Sequence, residues 1–497
     1  LPACSRSSEW ERRASLYPEK PQPINQTFFG NCPGSRREAK ASGSKACFLE
    51  KKRQKTFGRF GFGAAGDAQP RGSKVFWFFF QKRRSSLNGY KDLIGFRAGL
   101  IAAFAMVLFA RMPAVLHGRL WAEEGRIFYE NAATMPTWQA LFLPYGGYLN
   151  LAANAAPIIA RALVPLEAAP WIVTFIGLIF QCCPAILLVC ARDPWLTPPM
   201  ARIAALLLVA AAPEVEEVWL QTLHSQFHLA LCAAIILALD VPGRRLAIFG
   251  AVLLFLGPLC GPPACVLLPL FLARAAIDRS RGRLAQSAAL GAGAALQLLM
   301  FYTHASGRTY GIGPITLLCI VYIKQIIVPL FGATIAAGAS AELQARIASH
   351  LFPWRAVTVP IALFSVLAAA LWRGRQAASI WLFLAACLTG WIGYYGAIGN
   401  RLEMLLIDSG GRYVFLPEVL ASLAVLALAA GSARPERWVA RAAVGWLLIV
   451  GVGDLGSRRP FIKSGPDWLS EVALWRRDHA HPIAIWPRGW TMTLHAE

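Results

Sequence analysis

The sequence predicts an all-α, polytopic integral membrane protein, and three observations carry that reading. Hydrophobic residues fill 56% of the 497 positions and charged residues only 15%, where a soluble chain has about a quarter of its residues charged. Apolar stretches recur from Leu93 to Leu455, bounded by Arg or Pro clusters. Each has about twenty residues, and a helix of that length spans about 30 Å, the depth of the hydrocarbon core. The short loops between stretches alternate between basic and non-basic, as membrane orientation requires. Mean hydropathy is +0.47.

Residues 1–92 are a different kind of sequence. They carry 19 Lys/Arg against 7 Asp/Glu, so just over half of the formal charge of +22 sits there. The region is polar and lacks sustained periodicity, which predicts a basic tail of low order. Lys51-Lys52-Arg53-Gln54-Lys55 reads as a solvated basic run rather than a nucleic-acid patch. The chain opens with Leu, and its first methionine is Met106, inside the first apolar stretch. The tail therefore reads as a mis-set start or fragment boundary and is assigned no function. The remaining basic residues lie in loops, where they set topology, so nucleic acid is not an expected partner. Of the 11 cysteines, those in apolar stretches read as small packing residues.

The transmembrane domain, 93–455, is expected to hold about eleven spans, with a range of ten to thirteen: 93–116, 170–191, 200–213, 222–240, 245–258, 263–274, 284–304, 354–372, 377–399, 412–431 and 437–455. With the N-terminus cytoplasmic, the inner loops hold Arg192 and Arg202, then Arg244 and Arg245, then Arg274, Arg279, Arg281 and Arg283. Arg373 and Arg375 follow, then Arg434, Arg437 and Arg441. The outer loops at 214–221 and 259–262 have no basic residue. The first outer loop is 117–169, and a small non-cytoplasmic tail is 456–497. Gly257-Pro258-Leu259-Cys260-Gly261-Pro262-Pro263 predicts two short helices around a bend, tolerated where backbone faces protein or a cavity. Segments 134–165 and 314–331 are expected to be juxtamembrane helices on the outer face, because they contain Arg161 and Lys324.

The unusual polar residues fall on the outer side. Glu123 and Glu124 follow the first span among aromatics, where poorly solvated carboxylates suit general-base or metal-binding work and also suit a helix cap. The next outer loop holds Glu214, Glu216 and Glu217, then His224, Gln226 and His228. His224 and His228 are four apart, on one helix face, and the group has the donor types for a divalent cation. It contains no metal-hydrolase motif. Arg412-Tyr413 follows Gly410-Gly411, and a guanidinium at a cavity mouth suits a phosphate as well as an interfacial anchor.

A first span followed by an acidic pair opening the first outer loop resembles the GT-C superfamily of membrane glycosyltransferases, which use polyprenyl-phosphate-linked sugars. Glu123-Glu124 stands where that family has its acidic motif, usually containing Asp. The Glu-Glu form leaves the base open between the two. Glu214, Glu216 and Glu217 resemble a second outer-loop acidic site, and Arg412-Tyr413 with Leu416-Pro417 is similar to the pattern that begins a late span. The resemblance covers roughly 93–455. It implies a GT-C-like fold in a bacterial inner (plasma) membrane and an inverting transfer on the non-cytoplasmic face. It also implies a lipid-linked sugar donor as partner, with Glu123 or Glu124 as base. Arg412, Tyr413, Glu216, Glu217, His224, Gln226 and His228 are implied as binding residues; no cofactor is certain, and a divalent cation is the candidate. The competing expectation is a transporter or flippase of lipid-linked sugars or other amphiphiles. Broken helices suit it, but ionisable residues near the midplane look few and no internal repeat is evident. The sequence leaves the sugar, acceptor, carrier lipid, metal and oligomeric state open.

Overall fold

In the computed structural model, the described residues are 94–240, 243–304, 311–397, 402–431, 435–456 and 464–495. All belong to one unit, Lys74–Glu497. The basic run at 51–55 and the rest of the 1–92 tail lie outside the described residues, as does Arg434.

The described residues are 78% helical. Among the described residues, eight helical segments are long and apolar enough to cross a membrane. These are α1 (Ile94–Arg111), Leu166–Cys190, containing α3 (Ala169–Cys190), and α8 (Arg281–Thr303). The others are α9 (Pro314–Ala348), α10 (Trp354–Gly374), α11 (Ala377–Tyr395), α12 (Gly411–Gly431) and α13 (Pro435–Leu455). A bent pair, Arg244–Leu259 (α6) with Pro262–Asp278 (ending in α7, Leu268–Asp278), turns through 119° and supplies a ninth candidate. The turn falls in the expected Gly-Pro segment, where Gly261 has a φ of 152°. Three further apolar helices are shorter: α2 (Leu151–Leu163), α4 (Pro199–Ala210) and α5 (Ser225–Ala238). The protein is therefore an all-α polytopic membrane protein with one minor β element, described below.

Two segments depart from expectation. Helices were expected over 200–213 and 222–240, with a solvent-facing loop at 214–221 between them. Instead α4 stops at Ala210 and α5 starts at Ser225. The irregular backbone between them is buried, apart from the partly exposed Glu217. Pro213 and the left-handed residues Glu214 (φ 61°) and Leu220 (φ 55°) stop helix propagation. Neighbouring helices then approach this segment through glycine. A Cβ at Gly177 of α3 would lie 2.7 Å from the Gln221 carbonyl, and one at Gly411 of α12 would collide with the Glu214 carbonyl.

The segment 314–331 continues into α9, which is helical to Ala348 except at Gly332 (φ 81°, ψ 170°). Tyr322 and Ala339 border the same small pocket, although a straight helix would hold them about 25 Å apart. The element therefore folds back at Gly332. Lys324, the residue that argued for an interfacial helix, is fully buried instead.

The ends of the bundle are chemically distinct. At one, Asp240 pairs with Arg274, and Asp278 lies 3.1 Å from Arg274 and 3.0 Å from Arg283. Asp193 accepts from the Asp240 backbone N–H at 2.6 Å. These residues bring three of the basic loops together. Helix α5, about 21 Å long, leads from this end to His224 at the other. There the C-terminal segment forms α14 (Trp468–Arg477) and an antiparallel hairpin of β1 (Ile483–Ile485) and β2 (Trp490–Met492). Trp468, Val472, Ile485 and Met492 pack with Leu120, Tyr129 and Val173 in a second core. Residues 464–495 are thus a folded cover packed against the 117–169 segment.

Candidate functional site

Glu123 precedes a π-helical turn, Glu124–Tyr129. The C-terminal hairpin fixes that turn: the Ala122 N–H donates to the Trp486 carbonyl, and the Trp486 N–H donates to the Leu120 carbonyl at 3.1 Å. Arg119 stacks between Trp121 and Trp486, at 5.2 and 6.0 Å from their ring centres, and donates to the Trp219 carbonyl at 2.8 Å. Burial lowers the Arg119 guanidinium to about 10, opposed by the nearby Glu124 carboxylate.

The two adjacent carboxylates part company. Glu124 turns inward and is 1% exposed. One oxygen accepts from the Thr222 N–H at 2.5 Å and its hydroxyl at 2.6 Å, and the other accepts from the Trp121 N–H at 3.2 Å. Burial pushes its carboxyl up, against those hydrogen bonds and Arg119, which favour the ionised form. Glu124 is occupied in tying the 117–169 segment to the segment before α5. Glu123 instead borders a cavity of about 680 Å³.

That cavity gathers five of the residues singled out from sequence: Glu123, His224, Gln226, Arg412 and Tyr413. Arg412 opens α12. Its backbone N–H donates to Glu217 Oε1 at 2.5 Å, and its guanidinium lies 3.9 Å from Glu217 Oε2. Glu217 therefore sits behind Arg412 and orients it. His224 Nδ1 lies 2.9 Å from the Glu217 carbonyl. Burial pushes its imidazole down from the ordinary 6.5, opposed by Glu217, which leaves a neutral ring facing the cavity. The rest of the wall is mostly apolar and aromatic: Phe227 from α5, Val266 beside the α6–α7 turn, Phe301 from α8, Ile392 and Tyr395 from α11, and Leu416 from α12. A polar pole on an apolar pocket suits an amphiphile.

The other expected residues stand away from it. Glu216 is fully buried and pairs with Arg111 at 2.9 Å. His228 is sealed between the rings of Trp219 and Phe415, both centred 4.9 Å away. Glu214 pairs with Lys324 at 2.9 Å. The acidic and imidazole residues of 214–228 thus do not converge, and among the described residues no three His, Cys, Asp or Glu side chains are arranged to hold a metal.

Sequence reasoning passed over four contributors. Arg111 donates to the Ala210 and Ala212 carbonyls at 2.6 and 2.7 Å, capping the end of α4. Its signal was an Arg inside an apolar span. Tyr145 and Tyr148 flank Gly146-Gly147, whose φ angles of 61° and 85° make a tight turn that brings both tyrosines to the cavity wall. Trp486, which braces the Glu123 turn, gave no signal beyond being one of several tryptophans in the tail. No protein-family model matches the chain, and no curated protein matches it.

Proposed function

We propose that the protein is a membrane glycosyltransferase of GT-C type, transferring a sugar from a lipid-phosphate-linked donor to an acceptor hydroxyl with inversion. One observation carries the reading: a carboxylate, Glu123, and a guanidinium, Arg412, 289 residues apart in the sequence, border one cavity with a largely apolar wall. In the proposed reaction Glu123 takes the proton from the acceptor hydroxyl as its oxygen bonds to the anomeric carbon. The bond from that carbon to the donor phosphate breaks, and Arg412 stabilises the departing lipid phosphate. Glu217 holds the guanidinium in place, neutral His224 and Gln226 offer hydrogen bonds to sugar hydroxyls, and the apolar wall receives the lipid. The active face is the non-cytoplasmic one. A cysteine introduced at Thr493 is therefore expected to react with an impermeant reagent in intact cells, and one at Arg244 to be protected.

The test is turnover of a polyprenyl-monophosphate sugar by purified, reconstituted protein with an acceptor present. Arg412→Lys keeps the charge but loses the fork, so it should raise the donor KM by about tenfold or more and change the acceptor KM less. Lipid-linked-sugar flipping is a second reading. It is favoured by the bent α6–α7 pair at the cavity and by more buried ionisable residues than the sequence suggested. Movement of labelled donor across vesicles without acceptor, and without sugar transfer when acceptor is added, would select it.

A further inference from the structure

Two turns below Arg412 on α12 lies Glu418. It is 4% exposed, and one carboxylate oxygen has no hydrogen-bond partner among the described residues. The residue borders a separate internal cavity of about 10 Å³, shared with Ser422, Ala211, Pro329 and Leu447, which has room for about one water. Charged and titratable groups face it from every side. Glu214 and Glu216 come from the buried segment after α4, Asp454 from α13, Arg111 from α1 and Tyr394 from α11. Lys324 of α9 reaches the same cluster through Glu214.

Neither of the two cations described beside Glu418 is paired with it. Arg111 is bound to Glu216 and two carbonyls, with Asp454 a further 4.0 Å contact. Lys324 is bound to Glu214 and the Leu406 carbonyl. Among the described residues, an ionised Glu418 would therefore be a buried carboxylate with no ion pair of its own. Burying an uncompensated charge costs several kcal/mol, whereas binding a proton removes the charge.

We infer that Glu418 is held as a neutral carboxylic acid and forms an intramembrane proton-binding site next to the Arg111–Glu216 and Lys324–Glu214 pairs. The site is coupled to the large cavity by covalent neighbours. Glu214 and Glu216 lie on the same segment as Glu217, which orients Arg412, and Arg412 begins the helix that carries Glu418. Release of the proton would place new negative charge beneath that segment. The inference does not depend on glycosyl transfer.

Infrared spectroscopy of the reconstituted full chain at neutral pH tests it. The parent should show a protonated-carboxyl C=O band that shifts in D₂O and is missing from Glu418→Gln. Gln is close in shape to the neutral acid, so that variant should keep the parental folded yield and thermal midpoint. Glu418→Met serves as a second comparison for the same band should Glu418→Gln fold poorly. Identical carboxyl bands in parent and variant would overturn the site. So would a thermal midpoint that sodium chloride raises in the parent, relative to choline chloride, but not in the variant, since the ligand would then be a metal cation.

Discussion

Replacing Glu123 with Gln is expected to lower glycosyl transfer by at least about a hundredfold, the scale of a general base, with the folded yield unchanged. The expectation rests on the contrast with its neighbour. Glu123 borders the cavity, whereas every hydrogen bond recorded for the Glu124 carboxylate is to Thr222 or Trp121. Glu124→Gln replaces one acceptor oxygen with a donor amide opposite N–H or O–H groups that are themselves donors. About 1–3 kcal/mol of stability should be lost, with the specific activity of the folded fraction retained. Size-exclusion yield and single-turnover rates on the same preparations separate the two effects. If Glu124→Gln lost turnover while folded and Glu123→Gln did not, the base assignment would be reversed. If both folded variants transferred sugar at the parental rate, the enzyme reading would fail.

The architecture was legible where it depends on length and composition. Spans at 93–116, 284–304, 354–372 and 412–431 each contain or overlap a long apolar helix, because twenty apolar residues leave the backbone no other way to satisfy its hydrogen bonds in lipid. The Gly-Pro bend was legible because its residues cannot continue a helix. Burial of 211–224 was not, because three glutamates in a row of four read as solvent-facing until their partners are known. Those partners, Arg111 and Lys324, lie 105 and 110 residues away, beyond any local pattern. That Glu123 and Arg412 border one cavity was expected on chemical grounds, since in the proposed reaction a base and a phosphate-binding cation meet one donor. The division of labour between Glu123 and Glu124 was not. Adjacent residues on a turn point in different directions, and which one faces inward is set by Thr222, itself on the buried segment.

The same segment makes Arg111 the most damaging position to truncate. Its guanidinium satisfies the Ala210 and Ala212 carbonyls at the end of α4 and compensates Glu216, which has no solvent exposure. Arg111→Ala removes the ion-pair partner of a buried carboxylate and leaves two carbonyls without that donor. Loss of one partner of a buried pair alone costs about 3–5 kcal/mol. The expected result is a sharp fall in monodisperse protein and a large drop in thermal midpoint. Glu216→Gln should cost less, because the amide oxygen still accepts from Arg111 and both carbonyls keep their donor. Combining Arg111→Met with Glu216→Gln should recover part of the loss relative to Arg111→Ala, since the charge of Glu216 is then removed together with its partner. That order of stabilities, parent above Glu216→Gln above the double variant above Arg111→Ala, distinguishes charge compensation from simple loss of packing. Packing loss alone would leave the double variant no more stable than Arg111→Ala. An Arg111→Ala protein that melts at the parental temperature would mean that this pair does not hold the buried segment. The placement of His224 and Glu217 around Arg412 would then need another cause.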